Sequence, residues 1–434
     1  MKAYKFPRGG IPFGDATVPP KTGSSIAFLP VLSVMPLVQH TGAKASPVVE
    51  IGDQVREGML IGRGQGPGSA NIHAPVPGAV MRTVSWQPEE GMQSEALVIR
   101  LGGGFEKLGK PEKIFHWEDL KPFALQQIIA EYGIVEMEGS GAPLADILGP
   151  VYSRDPETLT TLVVRCVFDD PWLAADYVLC QERLKAVAEG SVILCQSAQI
   201  NRIVYAVSDK DYELGTKLLE EAGRYRVAAS LAPVGSRYPQ KNRRELELVL
   251  RTYEKREGLE LGSFLILGPA TLAAVHDAVK LKKPILERYI AVGGSAVKRP
   301  AVMRVRLGAR LRDVFAECGG FTGEPQRVII GSPLRGRRVT DLDEPVIKTS
   351  YAAVALLEAQ IGGTVMRNCI GCGECRQVCP VGLDPEALFK SAVHLPAEPV
   401  PEIAAECHAC GCCSVACPSR LPLSVVIQSA AQRN

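Results

Sequence analysis

Nine of the chain's 13 cysteines fall between Cys369 and Cys417. They form two runs of one spacing, Cys369-Ile-Gly-Cys372-Gly-Glu-Cys375-Arg-Gln-Val-Cys379-Pro380 and Cys407-His-Ala-Cys410-Gly-Cys-Cys413-Ser-Val-Ala-Cys417-Pro418. Each reads C-x2-C-x2-C-x3-C-P. The N-terminus, Met-Lys-Ala-Tyr-Lys-Phe-Pro-Arg-Gly-Gly, has no apolar run of signal-peptide length, so the cysteines are expected in a reducing cytosol. Disulfides do not persist there, which leaves metal binding or redox chemistry as the reason for so dense a block.

The rest of the composition removes other possibilities. A length of 434 residues implies several cores. Lys plus Arg (49) nearly balances Asp plus Glu (47), which argues against a surface built to hold nucleic acid or anionic lipid. With 46% hydrophobic and 22% charged residues, the chain is neither disordered nor fibrous. The most apolar stretch, around Ser350 to Ile361, is interrupted by Glu358 and Gln360 and is no spanning helix. With six scattered histidines, no Ser-His-Asp, paired-carboxylate or metal-hydroxide arrangement stands out, and no catalytic residue is assigned.

Along the chain, residues 1–30 are rich in Gly and Pro and read as an extended arm. Over 31–105, short apolar runs (Pro47–Ile51, Met59–Ile61, Ala79–Met81) alternate with turn signals, the pattern of a small β-barrel or sandwich. Its wording, Ile51-Gly-Asp-Gln-Val55 and His73-Ala-Pro-Val-Pro-Gly78, resembles lipoyl and biotinyl carriers. No lysine lies between Lys44 and Lys107 to carry a swinging arm, so a structural role is expected. Residues 116–282 show the βαβ rhythm of a parallel sheet, with strands expected at Thr161–Val164, Val192–Leu194, Ile203–Val207 and Phe264–Leu267 and helices at Tyr212–Ala222 and Ala270–Leu281. Residues 285–340 return to strands (Tyr289–Val292, Val302–Arg306, Val328–Ile330) around one helix near Leu311–Cys318. The cysteine region, 362–425, follows, its halves separated by Leu395-Pro-Ala-Glu-Pro-Val-Pro401. The basic pieces Lys241-Asn-Arg-Arg244 and Arg335-Gly-Arg-Arg338 read as solvated loops, with a docking patch as the alternative.

The cysteine spacing resembles the bacterial ferredoxin run, in which three thiolates in a tight loop face one cubane and the fourth reaches the other cluster. That pattern implies one [4Fe-4S] cluster on Cys369, Cys372, Cys375 and Cys417, and a second on Cys379, Cys407, Cys410 and Cys413. A pair of zinc sites is the competing reading, but the third and fourth cysteines of each run would have no place in a closed tetrahedral site. Cys412 is extra and reads as a packed thiol, although a register in which it replaces Cys413 stays open. Cys166, Cys180, Cys195 and Cys318 read as core residues, and His408 as a neighbour of the second cluster.

With its modules in this order, the chain resembles the RnfC family of the Rnf ion-translocating oxidoreductase complex. The resemblance rests on Phe6-Pro-Arg-Gly-Gly-Ile11, Lys21-Thr22, Gln39-His40-Thr-Gly-Ala43, the barrel segments above, Ala291-Val-Gly-Gly-Ser-Ala-Val-Lys-Arg-Pro300 with Leu307-Gly308, Ile330-Gly-Ser-Pro-Leu-Arg-Gly336 and the two cysteine runs. It implies a multidomain α/β plus β protein: a barrel-sandwich domain, a Rossmann-like domain resembling the FMN- and NADH-binding unit, a β-grasp-like SLBB-type module and a dicluster ferredoxin end. It also implies a peripheral subunit on the cytoplasmic side of the inner membrane, with membrane subunits of an Rnf-type complex as partners and NADH or ferredoxin as electron donor or acceptor. A soluble iron–sulfur reductase resembling the cobalamin reductase of microcompartments, and a non-catalytic cluster-bearing assembly protein, are the alternatives.

The middle domain departs from the family pattern. A glycine-rich loop G-x-G-G-A-G-F-P-T, whose bare amides approach the flavin phosphate, is here Glu136-Met-Glu138-Gly-Ser-Gly-Ala-Pro143-Leu. Two carboxylates would fill that space and repel a phosphate by roughly 1 kcal/mol or more. An E-C-E-P-Y segment has become Phe168-Asp169-Asp170-Pro171-Trp172, and a Y-P-x-G segment Tyr238-Pro-Gln-Lys241. FMN and NADH are therefore doubtful cofactors, with no residues assigned to them.

Overall fold

The computed structural model describes residues 3–13, 18–87, 94–152, 159–357, 365–394 and 399–432. Glu358 and Gln360, and most of the Pro-rich piece between the cysteine runs, lie outside them.

Two antiparallel sheets make the first domain. One pairs Leu32–Pro36 with Ser94–Leu101, the latter with Gly78–Trp86, and that with Gln54–Val55; the other pairs Ser46–Pro47, Leu60–Arg63 and Ile72–His73. Met35, Ile61, Ile72, Val80 and Ile99 close its interior.

The second domain is a four-stranded parallel sheet in the order Ala228–Val234, Arg202–Ser208, Thr160–Cys166, Ser263–Leu267. Its central strands are buried almost throughout and carry the apolar runs Leu162–Val164 and Ile203–Val207, as a sheet covered on both faces requires. The helices Tyr212–Ala222 and Pro269–Lys280 fall where their periodicity puts them. Val192–Leu194, read as a strand, lies instead inside the helix Leu184–Ala198. That helix is buried on nearly every side, so it has no polar face, and a short apolar run cut from it looks the same as a buried strand. Gly190 lets it approach the helix Pro269–Lys280 closely, since a Cβ there would strike the Leu272 carbonyl. The strand Ala228–Val234 escaped the sequence because Ala-Ala-Ser-Leu-Ala-Pro-Val carries little β propensity.

The third unit is a six-stranded mixed sheet. Glu287–Gly293 lies between Ala301–Arg306 and Ala352–Leu356, and Arg327–Ile330 and Arg337–Val339 continue it beyond the latter. Ala352–Leu356 belongs to the apolar stretch beyond residue 340 and is an interior strand of this sheet. At the opposite edge, Ser24–Ile26 from the N-terminal arm adds in parallel to Ala301–Arg306.

The arm is a strap. Tyr4 bridges to Val234 and Ile11 to Tyr238. Phe6 enters the core that backs the parallel sheet beside Val234, Leu246 and Leu250. Gly9 and Gly10 adopt φ of +69° and +79°, and the Gly10 amide donates to the Val378 carbonyl at 2.8 Å. A Cβ on Gly9 would sit 2.5 Å from the Cys379 carbonyl group. The motif Phe6-Pro-Arg-Gly-Gly-Ile11 thus fastens the cysteine region to the parallel sheet.

Buried charges hold the other joints. Lys348 Nζ donates to the carbonyls of Asn71 and Gly133, each at 2.7 Å, so one ammonium ties the first, second and third units together. Burial lowers its pKa to about 7. Arg306 and Glu57, both almost fully buried, pair at 3.0 Å between the first and third units. Removing one partner of such a pair costs about 3–5 kcal/mol, because the other charge is stranded.

The strap and the buried histidine of the first domain can each be tested. Gly9→Val forces a left-handed backbone on a branched residue and a clash with Cys379, so it should destabilise the strap by about 2 kcal/mol or more, read as lost hydrogen-exchange protection of the Gly10 amide. His73, buried against Tyr132, has its pKa pushed down to about 3 by burial and by nearby Lys348. Between pH 6.5 and 3 the unfolded chain binds the proton and the folded chain does not. Stability should therefore fall as pH drops through that window, by up to about 5 kcal/mol from this group. Urea unfolding at stepped pH should show a shallower acid limb in His73→Leu.

Candidate electron-transfer site and the adjoining cleft

The two cysteine runs fold alike. In the first, Gly373 (φ +76°) turns the chain into the short helix Glu374–Gln377; in the second, Gly411 (φ +79°) does the same before Cys412–Ala416. Superposing the two turns by sequence puts Cys375 opposite Cys413, and Glu374 opposite Cys412. The repeat therefore makes Cys412 the additional residue. It is fully buried and packs with Ile11, Tyr238 and Cys410.

The eight cysteines line two cavities. One is bounded by Cys369, Cys372, Cys375 and Cys417, with Phe389 and Leu423 among its apolar walls. The other is bounded by Cys379, Cys407, Cys410 and Cys413, with Cys412 also at its edge. Each cavity takes three sulfurs from one run and the fourth from the other. Among the described residues no three His, Cys, Asp or Glu side chains converge as the ligands of a single ion would. Thiol donors around an apolar pocket suit an iron–sulfur cluster in each. Burial raises the pKa of Cys375 and Cys407 and pushes Cys413 up to about 12, whereas the hydrogen bond from Cys412 brings Cys410 down to about 7.

The cavities differ in exposure. Cys369 and Cys372 reach the surface beside exposed Ile370, whereas Cys379, Cys410 and Cys413 are buried. Tyr238 covers the second run, its hydroxyl donating to the Cys410 carbonyl at 2.7 Å. Arg335 donates to Asn242 Oδ1 at 2.7 Å and to the His408 carbonyl at 2.9 Å. Arg244 pairs with Glu406 at 2.8 Å, and the Lys241 amide donates to Asp169 Oδ2 at 2.9 Å. The two basic pieces thus contain working joints: Asn242, Arg244 and Arg335 fasten the second cysteine run to the parallel-sheet domain. Sequence could not show this, since the partners lie 73 to 162 residues away. His408 is half-buried, its Nδ1 3.4 Å from Glu245 Oε1. Cys166, Cys180, Cys195 and Cys318 are buried core thiols.

A large open cleft lies beside this joint, at the carboxyl ends of the parallel strands, where α/β sheets bind ligands. The loop Glu136–Ser140 forms one wall, and Arg165, Lys241, Arg335 and Tyr351 lie around it. Glu138 turns onto the N-terminus of the helix Pro269–Lys280. Its Oε1 accepts from the amides of Ala270 and Thr271, the latter at 3.2 Å, and its Oε2 accepts from the Thr271 hydroxyl at 2.5 Å. Burial and the charge of Asp176 raise its pKa, while the Thr271 hydrogen bond, Arg288 and Arg165 oppose the rise. Glu136 folds back over its own loop, accepting from the Ser140 amide at 2.8 Å and hydroxyl at 2.6 Å. The amides that would meet a phosphate already hold carboxylates, so the residues present do not fit one there. Of the altered acidic segment, Asp170 caps the turn Pro171–Leu173 and Asp169, raised to about pKa 6 by burial, lies under Lys241.

Three family profiles match successive parts of the chain: the RnfC barrel sandwich hybrid domain over residues 20–103, the Nuo51 FMN-binding domain over 129–275 and the NQRA C-terminal domain over 289–341. The RnfC-type component of the ion-translocating oxidoreductase complex of Rhodobacter capsulatus is 32% identical over 366 residues, spanning 82% of this chain and 69% of that protein. The equivalent component of the proton-translocating ferredoxin:NAD(+) oxidoreductase complex of Clostridium ljungdahlii is 30% identical over 369 residues, 84% of this chain and 79% of the relative. The sodium-translocating counterpart of Acetobacterium woodii is 25% identical over 359 residues, 82% of this chain and 80% of that one. Among solved structures, an NAD+-reducing [NiFe]-hydrogenase in the H2-reduced state shares the fold over 73% of this chain and 61% of its own, with a TM-score of 0.51 and 16% identity. The chain is a multidomain member of the RnfC family of the Rnf-type ion-translocating oxidoreductase complexes.

Proposed function

We propose that this chain is a peripheral electron-transfer subunit of a membrane-bound, Rnf-type ion-translocating oxidoreductase, carrying one [4Fe-4S] cluster on Cys369, Cys372, Cys375 and Cys417 and another on Cys379, Cys407, Cys410 and Cys413. The observation that carries the reading is the pair of cavities, each lined by one of these sets. When bound, such clusters supply one-electron transfer at a potential set by their surroundings. The protein's own part is to hold the sulfurs. Left-handed Gly373 and Gly411 aim each loop, Cys379 and Cys417 tie the loops to each other, and apolar walls keep water from the buried set.

Exposure supports a direction of contact. Cys369 and Cys372 lie at the surface among exposed Val365, Met366 and Ile370, a face suited to a redox partner, whereas the second set faces the cleft and its joint with Arg335 and Tyr238. No helix among the described residues is long and apolar enough to cross a membrane. The reading places the chain on the cytoplasmic side of the inner membrane, held by membrane subunits of the complex, with ferredoxin or NADH at the far end of the electron path.

Anaerobically purified protein should contain about eight irons and eight inorganic sulfides per chain. Cys372→Ser and Cys410→Ser should each lower the content by about half and leave the second signal in low-temperature electron paramagnetic resonance. Cys412→Ser should leave the iron content unchanged; its loss of a cluster would show that Cys412 and not Cys413 is the ligand. Stoichiometric zinc in place of iron would overturn the reading. In cell fractions the chain should sediment with membranes and be released by chaotrope.

A further inference from the structure

We infer that Glu138 is a built-in substitute for a bound phosphate: its carboxylate occupies the anion site at the head of the helix Pro269–Lys280, and the cleft of this FMN-binding-type domain is closed to FMN through that group. A glycine-rich loop followed by a helix N-terminus binds phosphate because unpaired amides and the helix dipole converge on it. Here both sources of amides are spent on the chain's own side chains. Glu138 takes the Ala270 and Thr271 amides together with the Thr271 hydroxyl, and the Met137 amide fixes that hydroxyl from behind at 2.9 Å. Glu136 takes the Ser140 amide and hydroxyl.

A second observation, independent of these hydrogen bonds, comes from the glycines. Open space above Gly268 and Gly139 is what a ligand would need, yet a Cβ on Gly268 would strike the Glu138 carboxyl and one on Gly139 the Glu136 carboxyl. The room those glycines provide is filled from within. Arg165, which could otherwise face an anion in the cleft, donates to the Glu138 carbonyl at 2.7 Å and steadies the loop in this position. The same carboxylate serves as a permanent cap for a 12-residue helix that has no side-chain cap of its own at Gly268. The inference does not depend on the clusters, and a failure of iron incorporation would leave it standing.

The test compares FMN with riboflavin, which lacks the phosphate, by flavin fluorescence quenching on the full chain. Wild-type protein should retain no flavin after desalting. Glu138→Gly should free the helix N-terminus and raise FMN affinity at least tenfold over wild type, with no comparable gain for riboflavin. Circular dichroism and cluster absorbance report whether the variant is folded, and Glu138→Ala replaces it if it is not. Stoichiometric FMN on the wild-type chain would overturn the inference. So would a folded variant with no gain for FMN, or an equal gain for riboflavin, which would mean that the carboxylate had blocked the ring and not the phosphate.

Discussion

The crossing of the two cysteine runs is the constraint on which the rest of the arrangement depends. Each cavity draws three sulfurs from one loop and its fourth, Cys417 or Cys379, from the other, so neither loop can take its shape alone. Everything around the pair is bracing. The strap Phe6–Ile11 passes from the core of the parallel-sheet domain onto Val378 and Cys379, Tyr238 closes over Cys410, and Arg335 spans Asn242 and the His408 carbonyl. Such redundancy suits electron transfer, whose rate depends steeply on distance and so on rigid placement.

The parallel-sheet domain combines an open cleft with a helix head whose amides are satisfied from within the chain. Its sheet, its helix Pro269–Lys280 and the cleft between them persist, and they present the surface against which the second cysteine run is seated. The anion site at the helix head is satisfied by Glu138, so the helix keeps its cap and the loop its shape without a ligand. Buried polar groups must find partners in any case, and a carboxylate in the loop meets that demand permanently.

The sequence was most informative where chemistry fixes spacing. Two repeats of C-x2-C-x2-C-x3-C-P allow few geometries, and Glu136 and Glu138 stood out against a loop that elsewhere needs glycine. Helices with one polar face, such as Tyr212–Ala222, were equally plain. The misread run Val192–Leu194 sits in a helix wrapped on all sides, where the period that separates helix from strand vanishes, and Ala228–Val234 is a strand only because Arg202–Ser208 and the helices around it make it one.

The sequence by itself carried the order of the barrel, parallel-sheet and third β units, the repeated cysteine spacing and the two carboxylates in the loop, because each is written in local spacing. Tertiary structure alone decided how they meet. That the N-terminal arm is a strap with Gly9 against Cys379, that Arg244 and Arg335 are joints, and that Glu138 seats on a helix beginning 131 residues later could not be read locally. The physical reason is common to all three: buried amides, guanidinium groups and carbonyls must be satisfied, and the groups that satisfy them are brought near only when distant segments pack.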